Sequence, residues 1–396
     1  MASITKRGGS YLIKVSCGYN CKGKQMVQTI TWKPEPGMSA KQIEKEVNRQ
    51  AVLFEEACNQ GYQSVAVKFE TFCEEWFESY AKNNLRNTTY ERMLRLRPRV
   101  YSALGHIRID KMNPRQIQAF INSLASKGAN QRNGNPLSPK TIKHYYSLIS
   151  EVFTFAEKMD VVSQNPCKKV SIPKGQYKEK EIYSPAEIQK ILNLLENEPI
   201  KYQVFFTLMI YSGFRRGEML GLEWKDVNFE SSIISIRRTS NYTSMKGTYT
   251  DTTKTRRSQR TLKFPEHIMS LLKKYKSEQA EHAFKCGDKW IENDRLFTKW
   301  NGEPMYNGQP YSWFEGFCEK NDIPFRGIHC FRHTFASLLV NQGVDIVTVS
   351  GALGHSEVST TSNIYCHMLD EARAKVADAV SAALDFTNKK TEPRGA

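Results

Sequence analysis

Between positions 328 and 365 the chain carries His329, Arg332, His333, His355 and Tyr365, a set able to grip a phosphate, move a proton and attack phosphorus. Arg332 offers a planar fork of donors that matches two non-bridging phosphate oxygens. The imidazoles of His329 and His355 titrate near neutral pH, and the Tyr365 hydroxyl can form a covalent ester. Phe331, Phe335, Leu338 and Leu339 recur at helical spacing, which places His329 and Arg332 at the amino-terminal end of a helix, where the dipole favours an anion. Singly, each of these residues is an ordinary packing or surface group; their order within one short stretch is what points to phosphoryl chemistry. A zinc site is the competing reading, because His329 and His333 are four apart. It loses, since no H-E-x-x-H is present and Arg332 between the histidines would repel a dication. No G-x-x-x-x-G-K-[ST] loop occurs either, so no metal, nucleotide or other cofactor is expected.

The segments H-C-F-R-H from His329, L-G-H ending at His355 and T-T-S-N-I-Y-C-H around Tyr365 resemble the carboxy-terminal boxes of the tyrosine recombinase (phage integrase) family. Upstream, residues 211–222 read Y-S-G-F-R-R-G-E-M-L-G-L, similar to the family's first arginine box, and place that arginine at Arg215. Residues 252–262 read T-T-K-T-R-R-S-Q-R-T-L, similar to its lysine-bearing β-hairpin, and place the lysine at Lys254. Departures are small: Phe331 stands where leucine is commoner and Ser212 where threonine is commoner.

The resemblance implies a site-specific recombinase most like the integrases of conjugative transposons and phages that carry an arm-binding domain. Tyr365 would attack the scissile phosphate to give a 3′-phosphotyrosine and a free 5′-hydroxyl, with Arg215 and Arg332 meeting the charge on the equatorial oxygens. Lys254 would protonate the leaving oxygen, His329 would assist the tyrosine and His355 would hydrogen-bond the phosphate. Glu218 reads as support for Arg215, and His333 as structural. The ester conserves the bond energy, so rejoining needs no ATP. Two neighbouring readings are a type IB topoisomerase-like DNA-relaxing enzyme and a catalytically inactive DNA-binding relative.

The rest of the chain must position this set. At 396 residues two or three domains are expected. Lys plus Arg number 57 against 41 Asp plus Glu, a net charge of +16, which favours a polyanionic partner. The excess is +4 in residues 1–65, +10 in 66–180 and +2 in 181–396, so it lies ahead of the reactive stretch. Nine scattered cysteines without a C-x-x-C pair read as reduced thiols of a cytoplasmic protein, and no signal peptide or membrane-spanning run is seen.

Alternation over residues 10–33 predicts a β-hairpin, and Ser39 with Gln42 begins a helix. A small sheet packed by one helix resembles the arm-type DNA-binding domain of such integrases, here residues 1–65. Residues 66–172 are expected to be an all-helical core-binding domain, with Phe69, Phe72, Trp76, Phe77 and Tyr80 as core. Its basic positions Arg86, Arg92, Arg95, Arg97, Arg99, Lys140 and Lys143 are candidate DNA contacts. Residues 165–183, rich in Pro, Gly and Lys, read as the linker. Ser184 then caps the first helix of a mainly helical catalytic domain, residues 173–396. Residues 232–237 are expected to pair with 261–264 in a small sheet whose hairpin carries Lys254, with Arg256, Arg257 and Arg260 as further DNA contacts. Apolar positions Leu369, Ala372, Val376, Val380 and Ala383 predict a carboxy-terminal helix. Expected partners are double-stranded DNA at core and arm sites, three further copies in a tetramer formed on DNA from a free monomer, and an excisionase or DNA-bending accessory protein.

Overall fold

The computed structural model describes residues 2–19, 25–59, 67–175, 181–252, 259–355, 357–359 and 362. It divides into two compact units, residues 1–177 and 178–396. The fold is mainly helical, with three small antiparallel sheets among the described residues.

The first unit opens with strands β1 (Ser3–Arg7), β2 (Ser10–Tyr19) and β3 (Gln25–Trp32), hydrogen-bonded in that order. The period of two sends Tyr11, Ile13, Val15 and Cys17 to one face, where Val47, Ala51 and Phe54 of helix α1 (Ala40–Asn59) cover them. The opposite face carries Lys14, paired with Ser3 and Thr29, and Leu12, paired with Thr5 and Thr31. At the start of α1 the Gln42 backbone donates to Ser39 Oγ, and Ser39 N–H donates to Gln42 Oε1. Strand β1 has no signal in the sequence because all five of its residues are exposed and no apolar alternation marks it.

The helical part follows. Helix α2 (Phe69–Trp76) passes through a π-helical turn into α3 (Lys82–Asn84), and α4 (Asn87–Val100), α5 (Pro114–Leu124) and α6 (Pro139–Lys158) close around it. Phe69 stacks on Phe153 at 5.6 Å, and Trp76, Leu148, Ile149 and Val152 are fully buried. Asn113 with Gln116, and Ser138 ahead of Pro139, cap α5 and α6. The expected linker is narrower than its composition implies. Residues Pro166–Lys169 form a 3-10 turn that buries Pro166 and Cys167, held by Asn165 Nδ2 on the Ser150 carbonyl (3.0 Å) and by Tyr146 Oη on the Cys167 carbonyl (3.0 Å). At the other end Tyr183 is buried in the second unit.

The second unit begins with α7 (Pro185–Leu195), opened by the reciprocal Ser184–Glu187 capping box. Helix α8 (Ile200–Ser212) is apolar on nearly every side and forms the centre of the core. After α9 (Arg216–Leu220), β4 (Val227–Asn228) and β5 (Ile233–Ile236) come a hairpin of β6 (Arg238–Thr243) and β7 (Gly247–Thr252), then β8 (Arg260–Lys263). Strand β5 pairs with β8 in the register Ile233–Lys263 to Ile236–Arg260, while β6 and β7 form a separate two-stranded sheet between them. Helices α10 (Glu266–Cys286), α11 (Gln309–Lys320), α12 (Cys330–Asn341) and α13 (Ile346–Leu353) complete the described unit. Lys254, Arg256, Arg257, Tyr365 and the predicted helix after Leu369 lie outside the described residues. No described helix is long and apolar enough to cross a membrane.

Candidate active site

Helix α12 is fixed by its apolar side. Phe331 is fully buried, stacked on Tyr183 at 5.4 Å and edge-on to Phe314 at 5.0 Å, with Phe206 of α8 behind it. Truncating such a residue costs about 3–5 kcal/mol. Locking Phe331 fixes the backbone from which Cys330 and Arg332 project. His329 is the residue at the amino-terminal cap and is exposed, and its ring lies 5.1 Å from that of buried His333.

Arg332 is only 3% exposed. Its two terminal nitrogens donate to main-chain carbonyls at the ends of two helices: Gly213 after α8 (2.8 Å) and Leu353 at the end of α13 (2.7 Å). Both acceptors sit at helix carboxy-terminal ends, whose partial negative charge offsets the buried guanidinium. Gly213 adopts φ +60° as the left-handed cap of α8, and an added Cβ would lie 2.6 Å from the Phe335 ring, so no other residue serves there.

Two residues further on, Arg215 caps α9. Its N–H donates to Glu218 Oε2 (2.9 Å) and its guanidinium to Glu218 Oε1 (2.8 Å) and the Gly354 carbonyl (3.3 and 3.4 Å). The side chain stays 38% exposed. Glu218 itself is buried; burial would push its carboxyl up, but Arg260 and Arg215 outweigh that and hold it below the usual carboxylate range. His355 follows Gly354 directly. Burial first, then the positive charge of Arg332, Arg215 and Arg260, brings its imidazole down to about 4, so it is neutral at physiological pH. Arg215, Arg332 and His355 therefore share one locality, built from the ends of α8 and α13 and the starts of α9 and α12.

Arg260 differs from the sequence expectation of a DNA contact. It opens β8, is 7% exposed at its side chain, and donates to Glu218 Oε2 (2.9 Å) and the Ala352 carbonyl (2.6 Å). Nothing in the run K-T-R-R-S-Q-R distinguishes it from its neighbours, because its acidic partner lies 42 residues away.

In the helical part the arginine run divides. Arg97 pairs with Glu74 (3.0 Å), a carboxylate outside the run, and Arg99 donates to the Ala129 carbonyl (2.7 Å). Arg86 and Arg95 are exposed, as are Lys140 and Lys143. Partial burial, with Arg92, Lys140 and Lys143 around it, lowers the pKa of His144, so α4 and α6 contribute to one electropositive patch. His144 carried no signal of its own in the sequence.

Residues 182–372 match the phage integrase family, and residues 68–125 match the phage integrase N-terminal SAM-like domain. A tyrosine recombinase XerC-like protein of Caldanaerobacter subterraneus subsp. tengcongensis is 30% identical over 298 residues, covering 71% of this chain and 73% of the relative. The ICEBs1 integrase of Bacillus subtilis is 24% identical over 377 residues, 95% of this chain and 98% of the relative. Among solved structures, the Tn1549 transposon integrase in complex with a circular intermediate DNA shares the fold, with a TM-score of 0.64 at 21% identity over 79% of this chain and 99% of that one. Fold and motifs together define an enzyme that breaks and rejoins DNA strands at specific sites. The chain belongs to the phage integrase family of tyrosine recombinases.

Proposed function

We propose that this recombinase integrates and excises a mobile element, with Arg215, Lys254, His329, Arg332, His355 and Tyr365 as the reacting set. The observation that carries the reading is the convergence of Arg215 and Arg332 on the carbonyls of residues 213, 353 and 354, with His355 directly following the last of these. Two guanidiniums held by fixed acceptors need little reorganisation when charge develops on a phosphate, which is the condition for electrostatic catalysis. A neutral His355 is suited to donating a hydrogen bond to the same phosphate. Tyr365 would form the 3′-phosphotyrosine, Lys254 would protonate the 5′ oxygen and His329 would assist the tyrosine, while Glu218 supports Arg215 and His333 packs beneath.

DNA is gripped, in this reading, by residues 66–172 at the core site, through Arg86, Arg92, Arg95, Lys140 and Lys143, with Arg256 and Arg257 of the catalytic domain, residues 173–396. Residues 1–65 read the arm sites. The face of their sheet opposite α1, with Lys14 among Ser3, Thr5, Thr29 and Thr31, supports that role, since it offers donors and a positive charge without a large apolar patch. Four copies act together on DNA and separate to monomers without it, in the cytoplasm, and an excisionase or bending protein sets direction.

The test is covalent capture. Incubated with a nicked duplex spanning the crossover site, the wild type is expected to form an adduct stable to denaturation, and Tyr365→Phe to bind the duplex equally but form none. An adduct with the phenylalanine variant would assign the nucleophile elsewhere.

A further inference from the structure

Three arginines meet Glu218 or the carboxy-terminal turn of α13, yet only two of them belong to the reacting set. The third, Arg260, is the first residue of β8 and directly follows the segment that holds Lys254. Its Nε donates to the Ala352 carbonyl (2.6 Å) and one terminal nitrogen to Glu218 Oε2 (2.9 Å). The guanidinium lies 5.0 Å from the centre of the Phe214 ring, next to Arg215 in the chain. Its other terminal nitrogen approaches Gly354 so closely that a Cβ at that glycine, already at φ +64°, would stand 2.7 Å from it. Arg260 therefore touches the chain on both sides of the site: the carboxylate that holds Arg215, and the turn that presents His355.

We propose that Arg260 is a positioning residue for strand cleavage, fixing Arg215 through Glu218 and fixing His355 through the end of α13. This rests on Arg215 and His355 acting on the scissile phosphate. Glu218 accepts from Arg215 at one oxygen and, at the other, from both the Arg215 backbone and Arg260, so its orientation is set only when both arginines are present. Without Arg260 the carboxylate can rotate and the Arg215 fork is no longer held in one plane. A point-charge lysine keeps the sign but cannot span Glu218 and the Ala352 carbonyl with one nitrogen. A displacement of the order of an ångström at a reacting centre slows the reaction about 10²-fold.

The experiment compares full-length wild type, Arg260→Lys, Arg260→Gln and Arg215→Lys, all below their melting temperatures. Binding to the crossover duplex at several salt concentrations comes first. Both Arg260 variants should bind with unchanged affinity, and the uncharged Arg260→Gln with an unchanged salt slope, whereas loss of a phosphate contact would reduce that slope by about 1; a reduced slope in Arg260→Gln overturns the proposal. Single-turnover cleavage of the bound, nicked duplex should then be slowed about 10²-fold in both variants, with no rescue by lysine. Wild-type rates in either overturn the proposal.

Two further readouts separate positioning from loss of fold and from action through Lys254. In wild type the His355 imidazole, followed by NMR, should titrate at about 4, held down first by burial and then by the charges of Arg332, Arg215, Arg260 and His333. In Arg260→Gln its titration should move upward, and an unmoved titration counts against the contact with the His355 turn. A substrate with sulfur in place of the bridging 5′ oxygen releases a thiolate, which needs no proton at neutral pH. Arg260→Gln should remain slow on it, and recovery would reassign the effect to the lysine. If Arg215→Lys itself cleaves at the wild-type rate, the assignment of the reacting set fails, independently of what Arg260 does.

Discussion

Replacing Arg332 by lysine should lower both stability and cleavage, and the structure sets the size of each effect. The guanidinium spans the Gly213 and Leu353 carbonyls with two different nitrogens and is almost wholly buried. A lysine keeps the charge, but its three donors radiate from one nitrogen on an unbranched stem, so it cannot reproduce the two spaced bonds of the planar fork and leaves at least one carbonyl poorly paired. An unsatisfied buried acceptor costs about 1–3 kcal/mol. For a unit of roughly 200 residues each kcal/mol moves Tm by about 2–4 °C, so a loss of about 2 kcal/mol means a fall of about 4–8 °C. Cleavage should slow by about 10²-fold or more, since one preorganised donor to the phosphate is lost with the fork. Differential scanning calorimetry of the full chain, following the transition of the carboxy-terminal unit, measures the first effect. Single-turnover cleavage of a nicked duplex at saturating protein measures the second. A lysine variant that melts with the wild type would mean that the two carbonyls do not depend on the fork. One that also cleaves normally would remove Arg332 from the reaction.

Glu218→Gln should cost about 3 kcal/mol at neutral pH, because it leaves two guanidiniums facing a neutral amide at a buried position. The folded-state pKa of Glu218 lies below its ordinary 4.5, so its stabilisation is present above 4.5 and is lost as pH falls through the folded value. Urea titrations between neutral pH and pH 3 should accordingly show a shallower acid loss in the glutamine variant, and parallel curves would count against the linkage. A fragment beginning near Val65 should bind and cleave the crossover site while losing protection of separate arm sites in footprinting. Protection of every region by that fragment would show that residues 1–65 do not read DNA.

The residues proposed to react could be picked out because they sit in short local patterns. G-F-R-R-G-E, H-C-F-R-H and L-G-H each place a glycine or histidine beside a helix end, and the caps at Ser184 and Ser39 fell at their expected elements. What the sequence concealed depends on partners far along the chain. The β6–β7 hairpin has few alternating apolar residues; Arg238 and Arg295 tie it instead to Glu223 and Asp226. The same reason hides the inward turn of Arg260 toward Glu218, and the pairing of Arg97 with Glu74, which removes one charge from a run that reads as uniformly outward. The pairing of β5 with β8 was readable from branched residues, but the hairpin between them was not.

The acceptors that hold Arg215, Arg260 and Arg332 include, beside Glu218, the peptide carbonyls of residues 213, 352, 353 and 354. A carbonyl is present whatever side chain the codon specifies. Substitution at Ala352 or Leu353 can alter packing but cannot delete the acceptor. The cluster is thereby insulated from much of the genetic drift around it, and a library that randomises its surroundings to retarget DNA specificity should keep Gly213, Glu218 and Gly354 fixed while varying Ala352 and Leu353.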